Sequence, residues 1–336
     1  MVFGATNRLL LVFALCFAYP LTRTHHVQSR GRERARLTCD ITQGKWLQVK
    51  NSFLQYNVST CGAEALKKFA QSSIEKAYEW IPSECPALLT EQKFIEEKIS
   101  NKRIAFVGDS LARNQYFSFL CLFRDTLSRN VDPPPQGFDH MRHFPSINTT
   151  VGIAWSVFLV RPSYQARNAN PHPEPLPVFS KINIDVSSLD DALLNALRSS
   201  THVVLNTGGW WSGRREWFEK SMTVLFTELQ QNHRDVRIVM QYSGFASTDA
   251  DDRCGEDISP VNSTSLLGTA QESVLREASE LITRFQRMYP TINFLNTIKL
   301  SALRVDNHPG SPRDCQHWLL PGVPDTWNFI MLNQMF

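Results

Sequence analysis

Net charge is nearly absent: 35 Lys and Arg stand against 32 Asp and Glu, leaving +3 over 336 residues. A balance this even lacks the basic footprint that nucleic-acid binding requires. Cysteines are few, seven in all, and no two have CxxC spacing, which argues against a structural zinc site. No internal repeat is visible. The apolar run Leu9 to Tyr19 is short for a membrane span. What is present is an ordinary globular composition, 42% hydrophobic, with a high aromatic load of eight Trp and 21 Phe. The length could hold two average domains, but α/β enzymes often use it for one.

The apolar run follows Arg8 and reads as a signal-peptide core, with Cys16-Phe17-Ala18 as a passable cleavage site. Residues 1–21 are therefore expected to be a signal peptide or a signal anchor. Arg23, Arg30, Arg32, Arg34 and Arg36 follow the run, against Arg8 and the amino terminus before it, which opposes the usual anchor orientation. Beyond Cys16 lie six cysteines, Cys39, Cys61, Cys85, Cys121, Cys254 and Cys315. Their even number is compatible with three disulfides whose pairing the sequence leaves open. Sequons at Asn57, Asn148 and Asn262 agree with a lumenal body. Residues 22–37 read as a basic, solvated stem. Residues 38–100 read as a small cysteine-containing subdomain, and residues 101–336 as the catalytic domain.

From Lys102 the pattern alternates between strands and helices. Strands are expected at Ile104–Val107, Val151–Val160, His202–Leu205, Val236–Met240 and Ile292–Leu295. Helices are expected at Leu111–Leu127, Leu189–Arg198, Glu216–Gln231 and Leu267–Met288. Such alternation implies βαβ units and a mostly parallel sheet. Pro133 to Pro135 and the stretch Pro171 to Pro177 read as surface loops that rim its carboxyl edge, where α/β proteins place ligands.

Three segments carry chemistry. Gly108-Asp109-Ser110-Leu111 joins a buried strand to a helix. A Ser in such a turn projects its hydroxyl at the sheet's carboxyl edge, beside helix N–H groups that can hold an oxyanion. An isolated Gly-Asp-Ser is equally well explained by Asp109 or Ser110 capping the helix. Asp314-Cys315-Gln316-His317 places an acid three residues before a base, so that Asp314 can orient the His317 ring. On its own that spacing also suits a turn Asp beside a solvated His. It could supply two metal ligands too, but no convincing third ligand is present. Asn206-Thr207-Gly208-Gly209-Trp210-Trp211 follows a buried strand. Asn206 is placed to donate to an oxyanion, Gly208 permits close approach, and Trp210 and Trp211 suit stacking on sugar rings. A Gly turn with core Trp residues is the alternative, better suited to one Trp than to both.

Together these segments resemble the plant trichome birefringence-like (PC-esterase) family of polysaccharide O-acetyltransferases, distantly related to GDSL/SGNH esterases. Val107 to Gln115 resembles the family's GDS block, and Arg313 to Asn328 its C-terminal DxxH block at nearly every position. Asn206 to Trp211 is similar to the NTGHWW element, with Gly209 in place of His. Cys39-Asp40, Gly44, Trp46, Cys61, Trp80, Pro82 and Cys85 resemble a degenerate N-terminal element. The resemblance implies a three-layer SGNH fold with a mostly parallel sheet and a disulfide-bearing N-terminal subdomain. It implies Ser110 as nucleophile, His317 as base, Asp314 as its orienter, and Asp109, Arg113, Asn114 and Asn206 as oxyanion or site-shaping residues. The family usually has Cys where Leu319 stands, so a bridge involving Cys254 and Cys315 is expected to be missing or rewired.

The implied reaction moves an acetyl group from a donor, acetyl-CoA being one candidate, to a polysaccharide hydroxyl, with no metal or bound cofactor. The implied location is the Golgi lumen, through a type II anchor or after cleavage, with the membrane touched only by that anchor. Two other readings use the same residues: an esterase with water as acceptor, and a glycan-binding protein without activity.

Overall fold

The computed structural model describes residues 39–50, 56, 77–123, 127–162, 184–211, 214–242, 259–262, 269–309, 314–334 and 336. The expected stem, the leader, Cys61, Cys254, Asn57 and the Pro171 to Pro177 rim lie outside them. A seven-stranded sheet has the order β11-β10-β9-β3-β6-β5-β4. In chain order these are β3 (Arg103–Gly108), β4 (Arg129–Asn130), β5 (His140–Phe144), β6 (Thr149–Trp155), β9 (His202–Thr207), β10 (Arg237–Tyr242) and β11 (Asn293–Leu295). β3, β6, β9, β10 and β11 are parallel, and they are the five strands the hydrophobic runs predict. β5 and β4 extend the edge antiparallel to them. The expected strand Val151–Val160 is in fact two, β6 and the short β7 (Val160–Pro162), which pairs with β8 (Ile184–Leu189). It breaks where the Ser156 N–H turns back to the Gly108 carbonyl at 2.9 Å and Leu159 takes a φ of 62°.

Helices cover both faces. The helix that opens at Ser110 is α2 (Ser110–Leu122), ending five residues before the expected Leu127 because Phe123 leaves helical geometry, with ψ 112°. On the same face lie α1 (Gln92–Ile99), α6 (Ile298–Ala302) and α7 (Val323–Gln334). The other face carries α3 (Asp191–Ser199), α4 (Arg215–Asn232) and α5 (Thr269–Met288). Strand alternation divides the core accordingly. Phe106, Val204, Val239 and Ile153 point toward α2, while Ala105, Val107, Val203, Leu205 and Met240 point the other way. The result is a three-layer α/β/α fold.

The described residues of the N-terminal segment pack into the α2-side core layer. Its hairpin, β1 (Gly44–Val49) with β2 (Ala77–Pro82), contributes Trp46 and Trp80 to the α2-side layer. The Trp46 indole N–H donates to the Leu300 carbonyl at 2.8 Å, and Trp80 donates to Ile41 at 2.9 Å. Cys39–Cys85 ties the two sides of this segment together. Cys121 and Cys315 are also disulfide-bonded, to partners outside the described residues. Cys315 is thus bridged even though Leu319 stands where the family usually has Cys. Among the described residues, no helix is long and apolar enough to cross a membrane.

One buried carboxyl joins three parts of this layer. Asp325, on α7, accepts from the Tyr56 hydroxyl at 2.7 Å, from the Ser118 hydroxyl at 2.8 Å and from the Gly322 N–H at 2.6 Å. Burial nevertheless prevails over these donors and pushes its pKa up to about 6. A folded pKa above the unfolded one stabilises below the unfolded value, and that contribution is lost as pH rises through about 6. The melting temperature is therefore expected to fall between pH 4 and 6, the scale per carboxyl being on the order of 3 kcal/mol. Thermal melts of Asp325→Asn across that range check this. The variant should show a shallower pH slope whatever its absolute stability.

Candidate active site

The first part of the site is the turn between β3 and α2. Gly108 is the register partner of Asn206 on β9. A Cβ on Gly108 would run into the Asn206 carbonyl oxygen and come within 2.9 Å of the Ala112 Cβ, so only glycine lets the strand end this close to both neighbours. Asp109 is the N-cap of α2, its carboxylate accepting the Leu111 N–H at 2.9 Å. The capping role thus belongs to Asp109, and Ser110 stands as the first helical residue. Burial pushes the Asp109 pKa up to about 6, opposed by the Leu111 and Ala112 N–H groups and by the charge of His317. The Leu111 N–H is engaged by the cap. No hydrogen bond reaches the Ser110 hydroxyl among the described residues.

The second part is the loop Asp314 to Leu320. The His317 Nδ1–H donates to Asp314 Oδ2 at 2.7 Å, while Asp314 Oδ1 accepts the His317 N–H at 3.1 Å and the Gln316 N–H at 3.0 Å. Acid and base therefore meet in one tight turn, as the spacing predicts. Burial acts to raise the Asp314 pKa. The hydrogen bond and charge of His317 and the two N–H groups override it and hold the carboxyl well below the usual carboxylate range. An ionised Asp314 on Nδ1 selects the tautomer that leaves the lone pair of a neutral ring on Nε2.

What brings the two parts together is Asn114, one turn along α2 from Ser110. Its Oδ1 accepts the Trp318 N–H at 3.0 Å and its Nδ2 donates to the Trp318 carbonyl at 3.3 Å, both buried. The loop bearing His317 is thus clamped to the helix bearing Ser110. Among the described residues, no hydrogen bond joins Ser110 to His317.

A further strut comes from residues the sequence does not flag. The His308 Nδ1–H donates to the His317 carbonyl at 2.8 Å, and its ring lies on Trp318 with centroids 4.0 Å apart. The Leu319 N–H donates to the Asn307 carbonyl, and the Val323 N–H to Asn307 Oδ1. Arg304 pairs with Asp306 at 2.8 Å, and its guanidinium carbon lies over the Trp46 and Tyr78 rings, 4.7 and 5.1 Å from their centroids. The N-terminal hairpin therefore buttresses the His317 loop. A lone His before Pro309 carries no signal of this in sequence. The strut appears only when the loops are folded together.

The third segment separates. Asn206 is fully buried and, two residues after Val204, faces the α2 side of the sheet; among the described residues neither atom of its amide has a hydrogen-bond partner. It stays adjacent to the Ser110 turn, as expected. Trp211 corrects the expectation of a sugar platform. It is fully buried, donates to the Thr207 hydroxyl at 2.9 Å and packs edge-on against Phe158 and Phe218 in the opposite core layer. Trp210 is half-buried against that same layer. Gly208, with φ 153°, makes the turn that sends both there. Arg113 points to the other flank of α2, its guanidinium carbon 5.2 Å from the Trp155 ring centroid. Asn148 and Asn262 are both exposed.

The arrangement can perform acyl chemistry: a serine on a helix terminus, an oriented imidazole, and an unpaired amide nearby. Loss of the clamp is expected to cost both rate and stability. Asn114→Ala should slow labelling of Ser110 by a serine-directed phosphonate about 10–100-fold, for a stability loss of about 1–3 kcal/mol. Asn114→Asp, which keeps the acceptor and loses the donor, should fall between. Asp314→Asn should leave the fold intact and slow labelling on the order of 10²–10⁴-fold. Intact-mass time courses with parallel melts check all three.

The profile of the GDSL/SGNH-like acyl-esterase family found in Pmr5 and Cas1p, PC-esterase, matches residues 89–248 and 244–334. Among curated proteins, the chain is 26% identical to xyloglucan O-acetyltransferase 1 of Arabidopsis thaliana, over 88% of this chain and 80% of the relative. It is 25% identical to the trichome birefringence-like protein 7 of the same plant, over 89% and 73%. It is 23% identical to xylan O-acetyltransferase 6 of Oryza sativa subsp. japonica, over 87% and 61%.

Proposed function

The chain belongs to the PC-esterase family, and on that premise we propose that it is a polysaccharide O-acetyltransferase working through an acetyl-Ser110 intermediate. The observation that carries the reading is the oriented Asp314–His317 pair clamped to the Ser110 helix, in a chain that aligns over most of its length with relatives named as xyloglucan and xylan O-acetyltransferases.

In the first half-reaction His317 Nε2 takes the Ser110 hydroxyl proton as Oγ attacks the carbonyl carbon of the acetyl donor. The tetrahedral oxyanion is held by the Ser110 N–H and the Asn206 amide. It collapses by expelling the donor's leaving group, which takes the proton from His317. In the second, a sugar hydroxyl gives its proton to His317 and attacks the acetyl carbonyl. Ser110 Oγ then departs and recovers the proton. Asp314 stabilises the imidazolium in both halves and remains ionised throughout. The donor is an activated acetyl group such as the thioester of acetyl-CoA. No step uses a metal.

The leader, the stem and the sequons support a place in the Golgi lumen, as a type II membrane protein or after cleavage. Asn148 and Asn262 are exposed, as acceptors of N-glycans must be.

The test is transfer itself. Wild-type enzyme given an acetyl donor and xyloglucan or xylan oligosaccharides should yield acceptors heavier by one acetyl group in mass spectra. Ser110→Ala and His317→Ala should each reduce that product by on the order of 10³-fold or more. Undiminished transfer by either variant would sink the assignment. Donor hydrolysis that no oligosaccharide diverts into acetylated product would identify an esterase instead.

A further inference from the structure

We propose that Trp155 and Arg113 form the subsite that receives a pyranose ring of the acceptor, on the flank of the Ser110 helix away from the Trp318 clamp. The inference rests on the O-acetyltransferase reading and names where its acceptor lies. Trp155 is the last residue of β6 and the register partner of Gly108. It therefore ends its strand level with the nucleophile turn, at the carboxyl edge of the sheet. Ile153, two residues earlier on β6, belongs to the α2-side core layer, so Trp155 also faces α2. Unlike fully buried Trp211, it is only partly buried.

α2 divides the site. Asn114 faces the His317 loop and grips Trp318 on that flank. Arg113, one helical turn from Ser110 on the neighbouring row, faces β6 and holds its guanidinium over the Trp155 ring, 5.2 Å from the centroid. Asp139 lies on the same flank. It is exposed, its backbone N–H donates to the Ile153 carbonyl at 2.9 Å, and its charge acts on Arg113.

A pyranose ring has an apolar C–H face and a rim of hydroxyls. An indole edge and face offer the apolar contact. A planar guanidinium offers N–H donors to the rim, and a carboxylate offers acceptors. The cation–π contact holds the indole in place before the sugar arrives, so less conformational freedom is lost on binding. A sugar seated there has the Ser110 turn beside it, and a ring hydroxyl reaching across that turn meets the acetyl group on Ser110 within reach of His317 Nε2. The indole pair expected at positions 210 and 211 cannot serve, because Trp211 is committed to the far core layer.

The experiment uses the full chain with xyloglucan and xylan oligosaccharides. Calorimetry reads acceptor affinity without turnover, and initial rates give separate KM values for acceptor and donor. Trp155→Ala is expected to raise both the oligosaccharide Kd and the acceptor KM about 10-fold, and to do so far more than it lowers kcat. Trp155→Phe, which keeps a ring, should recover part of the loss. Arg113→Lys, which keeps the charge and loses the planar fork, should raise the acceptor KM by a smaller factor. Melts of each variant establish that the fold persists. An unchanged acceptor Kd in folded Trp155→Ala overturns the subsite. So does a rise confined to the donor KM, which would assign this flank to the donor. Oligosaccharide binding that depends on Trp155, in an enzyme that never transfers acetyl to it, would leave the subsite standing and remove the transferase reading alone.

Discussion

The two hydrogen bonds between the Asn114 side chain and the Trp318 backbone are the contact on which the rest of the site depends. A serine and a histidine far apart in sequence act together only if their carriers hold a fixed separation to within a fraction of an ångström. Asn114 is well chosen for this. A side-chain amide offers a donor and an acceptor in one plane, and a single peptide-flanked residue offers the complementary pair. Because both bonds are buried, breaking them leaves polar groups unsatisfied, which makes the clamp stiff.

The clamp in turn rests on the N-terminal hairpin. The Arg304 guanidinium lies over the Trp46 and Tyr78 rings and pairs with Asp306, in the turn that presents Asn307 and His308 to the His317 loop. His308 then holds the His317 carbonyl and covers Trp318. The described part of the N-terminal segment thus supports the loop that carries His317. Its aromatic residues lie in the same layer as Phe106 and Trp327, and its removal would expose that layer rather than detach a domain.

Two carboxyls within the site are driven in opposite directions. Burial dominates at Asp109 and raises its pKa to about 6, whereas at Asp314 the imidazole and two backbone N–H groups outweigh burial and lower it. The difference is one of partners, not of residue type. Asp109 caps a helix and Asp314 orients a ring, and only the second must remain ionised for the ring to carry a proton.

Local pattern was enough for the five parallel strands, because each is a short apolar run between turn residues, and for Asp314 with His317, because three residues of separation suffice to close a turn. The antiparallel edge, β4 with β5, was not legible. It is short and polar, and its position is set by pairing with β6. The bent course of the chain at Ser156 likewise needed Gly108 beside it. The site shows the same division. Ser110 follows from a strand, a glycine and a helix start, all of which are local. Whether Trp211 or Trp155 faces the site depends on which side of the sheet each turn delivers it to, and a one-residue change in register inverts that. The residue types were determined by the sequence alone. Their sides, and hence their roles, were decided only when the strands were laid in order.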